Sequence, residues 1–331
     1  MKPVKEWRRQ TKWLAALVAL CLLGLLAFAG SFVWSLYQTA ADIYHPVERL
    51  PSVPRQLAVG AETAGAGLSV PVSNQPEAQK EESKQKKIET FLLLGVDRES
   101  NSPDRGRTDV ILLVIYNQGS GKITLLSLPR DTYVEIAGKG KKDKVNHAYG
   151  YGVETTIATV ENFMGVPVDH YVLANFDGFQ KVIDLLGGIT LDVDEHAALE
   201  LELPAGERHL SGEQALTFAR FRGDREGDFG RNARHQQVIK ALVEQTRSLR
   251  SPGKIKEILS VVGDDLRTDV ALTEMISLAT SLNEWPEMTV EQLRYTGRPA
   301  RFGPQSLSYV IIEEAEQKRV TEQLIQALRI P

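Results

Sequence analysis

A single cysteine, Cys21, occurs among the 331 residues, so no disulfide can form within one chain. A domain of this size can rely on its apolar core instead. Cys21 lies in an apolar run, and Ala19-Leu20 before it lack the small residue expected ahead of a lipidated cysteine. It reads as a small hydrophobe facing lipid. The six histidines show no HExxH spacing, which removes a zinc-protease reading; His147 and His235 are expected as hydrogen-bonding supports. Ser127 and Ser211 lack the context of a nucleophile elbow, which argues against a serine hydrolase. Excess basic charge is missing as well. The formal net charge of -4 argues against a general nucleic-acid binder. There is no internal repeat, and the tripeptide Arg222-Gly223-Asp224 is too short to carry an adhesion function alone.

What is present begins with MKPVKEWRRQTKW, which holds five cations and one acid, and no charged residue follows from Trp13 to Ala41. About 20 apolar residues suffice to cross a bilayer, and flanking Lys and Arg stay cytoplasmic. The pattern predicts a cytoplasmic basic tail over 1–12 and a transmembrane signal anchor over 13–37. A cleaved signal peptide is the rival, with Ala27-Phe28-Ala29 as its cut site. The apolar run continues past that site through Phe32, Val33, Trp34, Leu36 and Tyr37, which favours the uncleaved anchor. Residues 38–90 are expected as an extracellular flexible linker. Prolines stand at 46, 51, 54, 71 and 76, and the charged run KEESKQKK follows at 80–87, with low hydrophobicity and no periodicity.

FLLLGV (91–96), VILLVIY (110–116) and KITLLSL (122–128) are apolar runs of strand length. The turn NQGSG (117–121) favours a hairpin between the last two. If consecutive strands pair antiparallel, one sheet edge collects Asp97, Arg107, Asp109, Arg130 and Asp131. Charges gathered at the end of an apolar sheet are costly unless a ligand or metal completes them. Further along, helices are expected over 154–164, 177–186, 211–219, 232–249, 253–262 and 272–284. Strands are expected at 168–176, 189–193 and near 289–296, with a strand–helix pair over 308–328. Ser211 and Gln214 match a capping box. The fold class is mixed α/β: an α-β-α sandwich with a central, mostly antiparallel mixed sheet flanked by helices, preceded by one transmembrane helix and a flexible linker.

FARFRGDREGDFGRNARHQ (218–236) contains Arg220, Arg222, Arg225, Arg231 and Arg234 but no lysine. Arginine's planar fork holds two oxygens at once and keeps its charge in any environment. Several arginines therefore suit a ligand rich in anionic oxygens, above all a diphosphate. Two aspartates at a shared edge suit Mg²⁺, which takes one or two carboxylates plus phosphate oxygens. Together these are the parts of phosphoryl transfer.

The segments LLLGVD (92–97), GRTDVILL (106–113), LSLPRDTYV (126–134), KVNHAYGYG (144–152), NFDGFQKVIDLLGGI (175–189), LSGEQALTFARFR (210–222) and GDFGRNARHQQVI (227–239) resemble the LytR–CpsA–Psr family. The resemblance covers about 91–250, the expected catalytic domain. Residues 251–331 carry no assignable motif and are expected as a C-terminal helical and α/β extension packed on it. The resemblance implies a Gram-positive type of cell-membrane enzyme, single-pass, with its catalytic domain extracellular. It would move a glycopolymer (teichoic acid, capsule or another secondary wall polymer) from a polyprenyl-diphosphate carrier to peptidoglycan. Implied partners are that lipid-linked donor, the peptidoglycan acceptor and membrane lipid, with no nucleic acid. By position, Asp97 and Asp109 match the family's metal ligands for Mg²⁺, with Mn²⁺ as the alternative ion. Arg107, Arg130, Arg220, Arg222 and Arg231 match its diphosphate-binding arginines, and Arg107, Arg130 and Asp228 make the expected catalytic set, Asp228 as general base. Many members read GxDxR after the first strand, whereas this chain has Gly95-Val96-Asp97-Arg98-Glu99. Two other readings stay open: a non-catalytic regulator that binds polyprenyl diphosphates, and a metal-dependent lipid diphosphatase. A cytoplasmic part of about twelve residues is too short for a DNA-binding module, which counts against direct transcriptional control.

Overall fold

The computed structural model describes residues 34–35, 37–52, 88–97, 106–223, 228–246, 252–285, 288–302 and 306–329. The expected anchor, 13–37, lies almost wholly outside them. Among the described residues no helix is long and apolar enough to cross a membrane.

The chain opens with strands β1 (Ile88–Val96), β2 (Thr108–Asn117) and β3 (Lys122–Ser127), then a hairpin of β4 (Tyr133–Ile136) and β5 (Lys141–Lys144). Helix α1 (Val153–Met164), strand β6 (His170–Asn175) and helix α2 (Phe176–Leu185) come next. A small lobe follows, made of β7 (Ile189–Val193), α3 (Glu195–Glu200), β8 (Gly206–Leu210) and α4 (Gly212–Arg220). The long α5 (Asp228–Thr246) leads to α6 (Pro252–Val262), β9 (Leu266–Thr268), α7 (Leu272–Glu284) and β10 (Thr289–Leu293). A hairpin of β11 (Arg298–Phe302) and β12 (Leu307–Ile311) precedes α8 (Glu314–Arg329).

Six strands form the central sheet in the order β10-β3-β2-β1-β6-β9. The pairs β1–β2, β2–β3 and β6–β9 run antiparallel; β1–β6 and β10–β3 run parallel. Alternation along the strands divides the core between the two faces. Leu92, Leu94, Leu113 and Leu126 pack with Ile157, Met164 and Leu324 from α1 and α8. On the other face Leu112, Tyr116 and Leu125 meet Ile239, Val243 and Leu278 from α5 and α7. The expected mixed α/β sandwich is thus present. Its tail is more than an extension: β9 and β10 supply both outer strands of the sheet, and α8 fills one face of its core.

Local signals act as anticipated in several places. Asn117 Oδ1 accepts from the amides of Gly119 and Ser120, closing the β2–β3 turn. Ser211 and Gln214 form both halves of the capping box that starts α4. The helix expected from 177 starts slightly earlier. Asn175 caps α2, its side chain accepting from Gly178 N at 2.8 Å, while Asp177 falls inside the first turn.

The stretch expected as a spacer over 38–90 begins as a docked strap. A helical segment over 37–43 buries Ala40 and Ile43 against Leu259 and Val262. His45 N donates to Thr268 O at 2.7 Å, and Tyr171 Oη donates to His45 O at 2.7 Å. Arg49 pairs with Asp269 and donates to Asp169 O. These anchors lie far away in sequence, so composition alone reads the strap as linker. Residues 53–87 lie outside the described part. Asp269 also faces His170, and with Glu89 it holds the imidazole pKa up at about 9 against the cost of burial. An unfolded histidine titrates near 6.5, so this contribution is complete below about pH 6.5 and is lost as pH rises through about 9. In thermal melts the wild type should therefore exceed His170→Gln by a few degrees at pH 6, roughly 3 °C. The two should converge above pH 9, and a gap unchanged across that window would contradict the charged latch.

Candidate active site

The end of the β1–β2 pair is shaped by Gly95. A Cβ there would stand 2.8 Å from Val110 Cγ2, and the strand register shifts just after it. This close approach carries Asp97 to the edge, where its amide donates to Arg107 O at 3.0 Å, and sets Asp109 one residue into β2. At the end of β3, Pro129 breaks the strand and turns the chain. Arg130 then reaches back, its Nη1 donating to Asp109 Oδ1 at 2.7 Å. Arg222 Nη2 approaches the other oxygen, Asp109 Oδ2, at 3.8 Å.

The arginine-rich stretch completes the site from the opposite side. Arg220 closes α4 with its guanidinium 4.5 Å from the Phe176 ring centroid. Arg231, only 2% exposed, projects from the first turn of α5. One turn later comes His235, whose Nε2 lies 3.1 Å from Ala219 O. A carbonyl only accepts, so Nε2 carries the proton and Nδ1 presents a bare lone pair. Burial, then the neighbouring Arg231 charge, pushes its pKa down to about 3, which keeps the ring neutral.

Asp97, Asp109, Arg130, Arg220, Arg222 and Arg231 all line one cavity of about 540 Å³. Its mouth is charged and its depth is apolar, with Val172, Phe179, Val182, Leu216, Val238 and Leu242 from β6, α2, α4 and α5. The sheet, α2 and α5 frame this volume, while α1 packs on the other face of the sheet.

Not every anticipated residue joins the group. Arg107 is exposed just before β2 and does not line the cavity; its backbone carbonyl accepts from Asp97 N at the edge. Asp131 turns away to Lys144, 2.9 Å from Nζ. Arg234 is a structural arginine. It reaches Asp194 Oδ2 at 3.2 Å and Phe221 O at 3.3 Å, and its guanidinium sits over the Phe221 ring. It thereby fixes the segment that carries Arg220 and Arg222. Asp228 opens α5, but its side chain lies outside the described part, as do Arg98, Glu99 and Arg225. His235 and Asn175 line the cavity without having been singled out as site residues. The helical spacing of His235 from Arg231 was the available signal.

An arginine-ringed mouth over an apolar depth, in an α/β fold, has the chemistry to suit an amphiphile with an anionic head. The chain belongs to the LytR_cpsA_psr family, whose model matches residues 58–326. It is similar to the polyisoprenyl-teichoic acid–peptidoglycan teichoic acid transferase TagU of Bacillus mycoides. That match is 30% identical over 316 residues, 94% of this chain and 95% of the relative. The protein of the same name from Halalkalibacterium halodurans is 38% identical over 239 residues, 71% of this chain and 77% of the relative. Among solved structures, TagV of B. subtilis superposes with a TM-score of 0.64 at 33% identity, covering 75% of this chain and 99% of that one.

Proposed function

We propose that this protein is a membrane-anchored phosphotransferase that moves a teichoic acid or related wall glycopolymer from a polyprenyl-diphosphate carrier to peptidoglycan. The observation that carries the reading is that four arginines and two aspartates line one cavity whose remaining wall is largely apolar. Its relatives are named for this transfer. The charge pattern of residues 1–37 supports a cytoplasmic N-terminus with the catalytic domain outside the cell membrane.

In this reading the polyprenyl tail occupies the apolar depth and the diphosphate lies among Arg130, Arg220, Arg222 and Arg231. A peptidoglycan hydroxyl attacks the phosphorus that bears the glycan. The new P–O bond joins polymer to acceptor, the P–O–P bridge breaks, and polyprenyl monophosphate leaves with the bridging oxygen. The hydroxyl proton passes to a base, for which Asp228 at the start of α5 is the candidate. The arginines neutralise charge that builds on the phosphoryl oxygens and the leaving group, which is where fixed donors have most effect.

Two carboxylates from neighbouring strands line the same cavity; among the described residues no third ligand of metal-binding type joins them. That set fits Mg²⁺ or Mn²⁺, which completes its shell with water and phosphate oxygens. Asp97 and Asp109 would hold the ion, which when bound would supply further charge neutralisation at the diphosphate.

The test is the purified protein with a lipid-linked glycan, Mg²⁺ and peptidoglycan. Covalent glycan on the acceptor supports the transferase. Sugar phosphate released equally without acceptor would make it a diphosphatase, and binding without turnover a regulator. Phe176 supports Arg220 through its ring face, a contact worth about 0.5–1 kcal/mol at a wet site. Phe176→Leu should therefore lower kcat/KM roughly 2-fold to 5-fold with an unchanged melting temperature.

A further inference from the structure

The segment that carries Arg130 is also where two surface hairpins join the domain. Arg130 O accepts from Asn146 N at 3.2 Å, Asp131 O from Val310 N at 2.8 Å, and Thr132 O from Val145 N at 2.9 Å. Three successive carbonyls thus fasten the exit of β5 and the strand β12 directly beside the cavity mouth. The β4–β5 hairpin is basic: Lys139, Lys141, Lys142 and Lys144 fall within six positions, the first three exposed. Of its two acids, Asp143 is taken up by His147, at 3.0 Å, and by Lys141, and Glu135 stands opposite Lys142 in the strand pair, which leaves a net positive hairpin. Lys139 and Lys141 stand 4.7 and 5.4 Å from the ring centroid of one exposed tyrosine, Tyr151.

The β11–β12 hairpin adds apolar planes. Phe302, 44% exposed, packs against Tyr133 and Tyr309 with centroids 5.4 Å away in both cases, and the neighbouring Leu307 is 43% exposed. Lys144 links this cluster to the segment that carries Arg130, 5.5 Å from the Tyr309 centroid and 2.9 Å from Asp131 Oδ1. Alternating cations and exposed ring faces match a chain of phosphates separated by polyol or sugar units. Position favours the same occupant. The apolar chamber runs beneath α2, α4 and α5, whereas Val134 and Ile136 anchor the basic hairpin on the opposite face of the sheet with α1. A lipid tail would leave the charged mouth to one side and the hairpins flank the other.

We propose that these two hairpins form a second binding surface for the polyanionic polymer chain of the donor, beyond its diphosphate. This rests on the transferase reading above for its occupant.

The experiment uses the full chain and the variant Lys139→Ser/Lys141→Ser/Lys142→Ser, which changes only exposed side chains and spares Lys144. Two donors with the same lipid diphosphate are compared, one with a single repeat unit and one with a long polymer. For the triple variant kcat/KM with the long donor should fall ~10-fold, in keeping with several weak exposed charge contacts, and stay unchanged with the short donor. The preference of the wild type for the long donor should shrink as salt is raised. Equal losses with both donors, or none with either, would overturn the proposal. A second measurement is independent of turnover: anisotropy of a labelled glycerol-phosphate polymer lacking lipid and diphosphate. Binding by the wild type that the triple variant loses supports the surface even if the transferase reading fails. Absence of binding overturns it. Loss of binding to phosphatidylglycerol vesicles in the triple variant, with polymer binding intact, would assign the hairpins to the membrane instead.

Discussion

Arg130→Ala is expected to lower turnover at least ~100-fold, the scale seen when one transition-state donor is removed. Its side chain is 20% exposed and its guanidinium is held by Asp109 at 2.7 Å, so it stands ready before substrate arrives. Losing it has two consequences. The diphosphate loses a forked donor, and the Asp109 carboxylate loses its nearest cation while still facing an anionic ligand. Arg130→Lys keeps the charge but not the fork and should recover only part of the rate. Because charge grows on the phosphoryl group during transfer, kcat and kcat/KM should fall together. A variant with near wild-type turnover, or one whose loss lies wholly in KM, would mean that Arg130 holds the transition state no more tightly than the bound substrate.

Much of this site is legible in the sequence because its charges sit at strand ends. Apolar runs fix where β1, β2 and β3 stop, and antiparallel pairing then forces Asp97, Asp109 and Arg130 to one edge. The arginines of α4 and α5 are legible by residue type, yet their roles are not. Arg231 and Arg234 are three positions apart on one helix, and only the lobe containing Asp194 decides that Arg234 is structural. The chamber is hidden for another reason. Val238 and Leu242 have the same spacing whether they face a packed core or an open volume, and the difference lies in what α2 and α4 leave unfilled. The β4–β5 hairpin escapes pattern reading because KKDK has no apolar alternation and becomes a strand only by pairing with YVEI. The strap is hidden by distance, since Arg49 finds its acid at Asp269.

Asp97→Ala is expected to abolish the Mg²⁺ dependence of turnover, and the comparison with Asp109→Ala gives that prediction its meaning. Asp109 has two claims on it: Arg130 and Arg222 approach its two oxygens at 2.7 and 3.8 Å. Removing it would weaken cation binding and also release both guanidiniums, so its kinetics mix two causes. Asp97 stands exposed at the end of β1 on the same cavity, and its loss should act on the cation while the Asp109 cluster stays in place. Mn²⁺ binding followed by electron paramagnetic resonance should weaken at least ~10-fold in Asp97→Ala, since even indirect supports of a metal ligand matter that much. Metal-free binding of a lipid diphosphate should change little in that variant, because the arginine set is intact and exposed Asp97 is screened by water and salt. For Asp109→Ala the same diphosphate should bind more tightly without metal, a carboxylate having been removed from the anion's path. Unaltered Mn²⁺ affinity in Asp97→Ala would remove that aspartate from the metal site and leave the arginines to neutralise the diphosphate.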